Sequence, residues 1–184
     1  MKKVVKFGGS SLASAEQFRK AADIIHADKE RRYVVPSAPG KRFPADTKVT
    51  DMLYSCYHLA EEGQDYAGEL KEIEARYQEI IDGLGLSLSL KEEFETIHKQ
   101  FQEKAGENYA ASRGEYLNSI IMAAFLGYEF IDAAQVIRFD ENGDFDPEVT
   151  NQILGERLKG MEHAVIPGFY GAFADGRVKT FSRG

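Results

Sequence analysis

Apolar residues recur at two periods along this chain, and the changes of period divide it into short strands and longer helices. Val4 to Phe7 sets apolar residues against lysines in the manner of a short strand, which Gly8-Gly9-Ser10-Ser11 breaks. Phe18, Ala21, Ala22 and Ile25 then fall at helical spacing, with Glu16, Arg19, Lys20 and Asp23 mostly on the other side. Tyr33 to Val35 reads as a second strand stopped by Pro36, and Pro39-Gly40 with Pro44 marks an exposed loop. Thr50 is placed to cap a helix from about Asp51 to Glu62, which Gly63 ends.

The middle of the chain is helical. Leu70, Ile73, Tyr77, Ile80 and Ile81 form one apolar stripe. Phe94, Ile97, His98 and Phe101 form another, opened by a capping box from Ser89 to Glu92. A further helix is predicted from about Tyr109 to Leu126, closed by Gly127, before strand-like stretches at Glu129 to Asp132 and Val136 to Phe139. Asp140 to Gly143 is a polar turn, and Asp146-Pro147 opens a helix through Leu158. Ala164 to Ile166 reads as a buried strand, and Asp175-Gly176 as the type I′ turn of a hairpin between Ala172 to Ala174 and Val178 to Phe181.

Strands alternating with helices predict an α/β fold, a three-layer αβα sandwich whose mostly parallel sheet is covered on both faces, with a helical excursion from about Asp65 to Glu107. The 184 residues suit one structural unit, without repeat or low-complexity linker. The chain stops straight after a predicted strand, as a domain cut short would, and an unfinished sheet would leave an edge and an apolar face uncovered.

Composition narrows the function classes. Hydrophobic residues make up 43% and charged residues 29%. No apolar run approaches the roughly 20 residues of a membrane helix, and Met1 to Phe7 lacks a secretory apolar core, so no membrane and a cytoplasmic location are expected. Cys56, the only cysteine, lies on an apolar stripe with Met52, Leu53 and Leu59, where a structural thiol fits better than a nucleophile. A net charge of −7 opposes nucleic-acid binding. Asp140 to Asp144 lacks the glycine and glutamate positions of a calcium loop, and the four histidines have no metal-ligand spacing.

One segment invites chemistry. In Lys6-Phe7-Gly8-Gly9-Ser10-Ser11 a lysine near a strand end meets two glycines and a helix start, where backbone N–H groups favour an anion. Taken alone, the same residues also describe a tight turn with a solvated lysine. No Walker A string and no dinucleotide-binding glycine pattern occurs.

This opening resembles the KFGGSS or KFGGTS start of aspartate kinases, within the amino acid kinase superfamily. Further segments match that family in order: Val34-Val35-Pro36-Ser37-Ala38, Val49-Thr50-Asp51, Ser112-Arg113-Gly114-Glu115, Pro167-Gly168-Phe169-Tyr170-Gly171 and Ser182-Arg183-Gly184. The loop from Gly40 to Lys48 is longer than the family's connection, and Asp51 stands where asparagine is common. The resemblance implies the N-terminal part of an amino acid kinase domain over residues 1–184, without most of the nucleotide-binding part or the regulatory ACT domains.

It also implies roles. Lys6, Gly8, Gly9 and Ser10 would meet the ATP phosphates, with Lys6 stabilising the phosphoryl group in flight. Ser37, Thr50, Glu115 and Arg183 would bind L-aspartate: Arg183 through a carboxylate, Glu115 through the ammonium and the hydroxyls alongside. Mg2+ would bridge the nucleotide phosphates, and the parent would be a homo-oligomer. A kinase acting on acetylglutamate or glutamate, or a non-catalytic module keeping the fold, are the alternatives. Read singly, Glu115 is also a solvated helix-start carboxylate, Ser37 a loop serine, Thr50 an N-cap and Arg183 a surface residue.

Overall fold

Four parallel strands in the order β1-β2-β4-β3 form the centre of the computed structural model, which describes residues 1–182. In chain order β1 (Lys3–Phe7) leads through α1 (Ala15–His26) to β2 (Arg31–Pro36). Four helices follow, α2 (Val49–Glu61), α3 (Ala67–Leu84), α4 (Lys91–Gln102) and α5 (Glu107–Leu126). Then come β3 (Glu129–Phe130), the single turn α6 (Ala133–Val136), α7 (Pro147–Arg157) and β4 (Ala164–Val165). A separate antiparallel ribbon pairs β5 (Tyr170–Ala172) with β6 (Val178–Thr180). No described helix is long and apolar enough to cross a membrane.

Alternation along the strands assigns the two faces. Val34 and Val165 point into the larger core, which α1 to α5 build with Phe18, Leu53, Tyr77 and Leu117. Tyr33, Ala164 and Ile166 point the other way, under α6, α7 and the ribbon. The three expected layers are present but unequal. Over β1 and β2 the second layer thins: Val4 is exposed, and an apolar groove of about 260 Å³ runs past Val35, Ile137, Leu158, Ile166 and Phe181. The predicted helical excursion is α3 and α4, whose stripes bury Ile73, Tyr77, Ile97 and Phe101. Cys56 is fully buried and its thiol is pushed up to about 12 by desolvation, then by the charge of Glu69, consistent with an inert structural thiol.

Several local expectations are corrected. Val136 to Phe139 is not a strand: Asp132 Oδ1 accepts from the Ala134 amide and starts a helical turn through Val136, after which Arg138 and Phe139 make only isolated bridges. Thr50 is not a cap, because α2 begins one residue earlier at Val49, whose amide is held by the Pro39 carbonyl at 3.2 Å. The capping box does not form: Ser89 Oγ accepts from Lys91 N at 3.3 Å and α4 starts after Leu90. The ribbon turn is not type I′, since Gly176 has φ +89° while Asp175 has no positive φ. Gly176 N–H donates to Phe173 O, a type I turn followed by a left-handed glycine. Pro39 and Gly40 are buried, so only the following residues of that loop are exposed.

Candidate functional site

The carboxyl ends of the parallel strands converge on one edge of the molecule, the place where open α/β sheets bind ligands. β1 delivers Lys6 to this edge, exposed and opposite Val35, on the face that carries the apolar groove. Phe7 pairs with Pro36, and the Ser37 amide donates to Phe7 O at 3.0 Å, so Ser37 sits beside the start of the glycine turn.

The turn differs from the expected strand, glycine loop and helix start. Gly9–Leu12 forms a 3-10 turn, and α1 begins only at Ala15, capped by Ser14 Oγ accepting from Gln17 N at 3.4 Å. The amides open to an anion here are therefore those at the head of a single 3-10 turn, which have no intrahelical acceptor. The two glycines have separate reasons. A Cβ on Gly8 would meet nothing within 4 Å, and Gly8 is exposed beside Lys6, which leaves room for a ligand against its backbone. A Cβ on Gly9 would lie 2.9 Å from Ala38 O and 3.1 Å from Gly40 N, so this glycine permits contact between two backbone segments. Gly40 N donates to Gly9 O at 2.9 Å and closes that contact.

The segment Ser37 to Gly40 is thus a wall with the glycine turn on one side. On its other side lies α5. A Cβ on Gly114 would come within 2.7 Å of Ala38 Cβ and 3.7 Å of Thr50 Oγ1, so the small residue lets α5 dock against the wall beside Thr50, one residue before Glu115. Glu115 is buried at 6% exposure and lies in the middle of α5, which removes the solvated helix-start reading. Thr50 is buried as well. Tyr77 donates its hydroxyl to Gly114 O at 2.8 Å; burial, and next the Glu115 charge, hold that phenol well above its ordinary pKa. Lys6, Gly8, Gly9, Ser10, Ser37, Thr50 and Glu115 therefore share one edge, linked through the wall. Arg183 lies outside the described residues.

Sequence reasoning assigned no role to several residues that shape this edge. Asn118 is fully buried and donates Nδ2 to Ser37 O at 2.7 Å. It stands one helical turn after Glu115, a polar residue on a buried face, and that pattern was its signal. Phe169 adopts φ +74°, unusual for a residue with a side chain, and its carbonyl accepts from Phe181 N at 2.8 Å. Arg113 inserts its guanidinium among the rings of Tyr109, Tyr116 and Tyr170 at 4.7, 4.1 and 5.5 Å from their centroids. Tyr116 and Tyr170 are in turn fixed by donating to Glu93 and Asp132. No group of three potential metal-ligating side chains occurs among the described residues.

Comparison with known proteins bears on this arrangement. Aspartokinase 3 of Bacillus subtilis is 39% identical over 98% of this chain and 43% of its own length. Aspartokinase 1 of Arabidopsis chloroplasts is 28% identical over 98% of this chain and 36% of its own. The crystal structure of Clostridium acetobutylicum aspartate kinase superposes with a TM-score of 0.95 at 47% identity, covering all of this chain and 42% of that one. Escherichia coli aspartokinase III, crystallised with aspartate and ADP, shares the fold with a TM-score of 0.83 at 23% identity. The chain thus spans less than half the length of these relatives. The amino acid kinase family matches residues 1–183, and with the strand-end glycine turn and the docked α5 in place, this chain belongs to that family.

Proposed function

We propose that the chain carries the aspartate half-site and the phosphate-binding turn of an aspartate kinase, which transfers the γ-phosphate of ATP to the β-carboxylate of L-aspartate and yields ADP and 4-phospho-L-aspartate. The observation that carries this reading is the wall of Ser37 to Gly40, which joins an exposed lysine and glycine turn on one side to Thr50 and buried Glu115 on the other. One side suits a polyanion and the other an amino acid.

The division of labour follows from charge. The β-carboxylate of aspartate is already ionised at neutral pH, with a reference pKa of ~3.9, so the attack requires no general base. Positioning and charge stabilisation remain to be supplied. Glu115 receives the α-ammonium, Ser37 and Thr50 offer hydroxyls to the substrate, and Arg183 clamps a carboxylate through its planar fork. Lys6 sets a full positive charge against the transferred phosphoryl oxygens, while Gly8, Gly9 and Ser10 present backbone amides to the same group. Bound magnesium supplies further neutralisation of the nucleotide phosphates.

The same reading places the complete enzyme in the cytoplasm as a homo-oligomer, at the entry to lysine, threonine and methionine synthesis. A span of less than half its relatives' length is expected to bind aspartate weakly and to turn over little or none. Isothermal titration of this chain with L-aspartate tests the half-site, with L-glutamate and Glu115→Ala as controls. Saturable binding of aspartate alone, lost in the variant, is the expected result. Equal binding of glutamate, or binding that survives removal of the Glu115 carboxylate, would sink the assignment.

A further inference from the structure

Within the loop from Gly40 to Lys48, Asp46 takes part in an ion pair that reaches back toward the site. Arg76, on α3, is 6% exposed, and its NH1 lies 3.1 Å from Asp46 Oδ2, itself 8% exposed. The same guanidinium donates to two carbonyls, NH1 to Thr47 O at 3.1 Å and NH2 to Gly40 O at 3.0 Å. Arg42 completes the set from the surface, with Nε 2.9 Å from Asp46 Oδ2 and NH1 2.7 Å from Glu79.

Gly40 is the pivot. Its carbonyl is held by Arg76, its amide by Gly9 O at 2.9 Å, and a Cβ there would lie 2.7 Å from the Gly9 carbonyl carbon. The backbone of Gly40 has no slack between the buried guanidinium and the glycine turn. At the other end of the wall, Ser37 is fixed by Phe7 O through its amide and by Asn118 through its carbonyl. Between them, Pro39 O accepts from the amide of Val49, the residue before Thr50. Moving Gly40 therefore moves the phosphate turn and the start of α2 relative to each other.

We infer that Arg76 is a positioning residue for phosphoryl transfer: by fixing the carbonyls of Gly40 and Thr47 it sets the distance between the glycine turn and the aspartate half-site. The inference rests on the aspartate kinase reading above. Arg76 is buried and directs its guanidinium to Asp46 and to the Thr47 and Gly40 carbonyls, so its removal should disturb the alignment of two bound reactants more than the binding of either one. Lysine at this position keeps the charge next to Asp46 but replaces the rigid planar fork with a single ammonium on a flexible stem, which holds the two carbonyls less firmly.

The test uses the complete gene product and measures kcat and KM for both substrates, with the thermal unfolding midpoint alongside. Arg76→Lys is expected to lower kcat about tenfold or more while each KM stays within about threefold, the pattern of misaligned reactants. Gly40→Ala should lower kcat as well, and the double variant should lose less than the product of the two single losses, because both act through one backbone segment. Arg42→Ala, which leaves Arg76 in place, should keep kcat within about twofold. An unchanged kcat in Arg76→Lys, losses that multiply in the double variant, or a kcat loss matched by the unfolded fraction would each overturn the inference. If Arg76→Lys does not fold, Gly40→Ala decides: a kcat loss of about tenfold with each KM within about threefold supports the inference, and an unchanged kcat overturns it. Wild-type protein that transfers no phosphate to aspartate would overturn the functional reading itself.

Discussion

At the amino end of the sheet, Lys3 Nζ reaches Asp28 Oδ2 at 2.7 Å and Arg31 Nε reaches the same carboxylate at 3.8 Å, all within reach of solvent. At the carboxyl end, Arg76 and Asp46 make a pair of similar length with less than a tenth of either side chain exposed. Pairs that look alike in a list of distances do different work. The exposed one exchanges water for a partner at little net gain, so the strands there are held by their ladder and their apolar neighbours. The buried one contributes little as an attraction once desolvation is counted, but it is costly to break, because each charge then has only a partial substitute. Buried charge belongs where a backbone segment must occupy one position, and here that segment is the wall of the site.

The contrast can be broken at its strongest point first. Arg76→Met should destabilise the chain by about 3 kcal/mol, the lower end for a broken buried pair, since Arg42 still neutralises Asp46. Denaturant unfolding measures it, and a change as small as that of a surface variant would erase the distinction between the two ends. A second, smaller effect concerns acid. The hydrogen bond from Arg42, helped by the charge of Arg76 and opposed by burial, holds the Asp46 carboxyl well below the usual carboxylate range. With its folded pKa depressed, Asp46 contributes stability that is complete above its unfolded value of ~3.9 and is lost as pH falls below that value. Stability measured from pH 5 to pH 3 should therefore fall less steeply in Asp46→Asn than in the wild type. The smallest effect is expected from Lys3→Met, which should leave the unfolding midpoint within experimental scatter despite removing a short ion pair.

Much of the α/β architecture was legible in the sequence, because the period of the apolar residues is imposed by burial on one side of each element. Phe18, Ala21, Ala22 and Ile25 are all buried, as their spacing predicts. Boundaries were less legible where a backbone carbonyl from elsewhere replaced the expected side-chain cap, as Pro39 O does for the start of α2. The stretch from Val136 to Phe139 has the composition of a strand, yet the Asp132 side chain captures the Ala134 amide and the chain turns instead. At the site, the glycines and the acidic residue of α5 could be named from local pattern and resemblance. Arg76 could not be assigned its role, since a cation on an apolar stripe announces only that it must find a partner. Its partners lie 29 to 36 residues earlier in the chain.

The order of strands also has a consequence in time. β4 is the last strand of the sheet to be synthesised, and it pairs with β2 on one side and β3 on the other. Until Ala164 and Val165 leave the ribosome, the middle of the sheet is an open slot whose walls are made more than thirty residues apart from it, and β2 waits through six helices for its neighbour. Pairings so distant in sequence must close large loops before they gain any contact, which makes their formation slow. Insertion of β4 is therefore expected to limit the rate at which this sheet assembles, with the helices from α2 to α5 already packed on one another before the strand that unites them arrives.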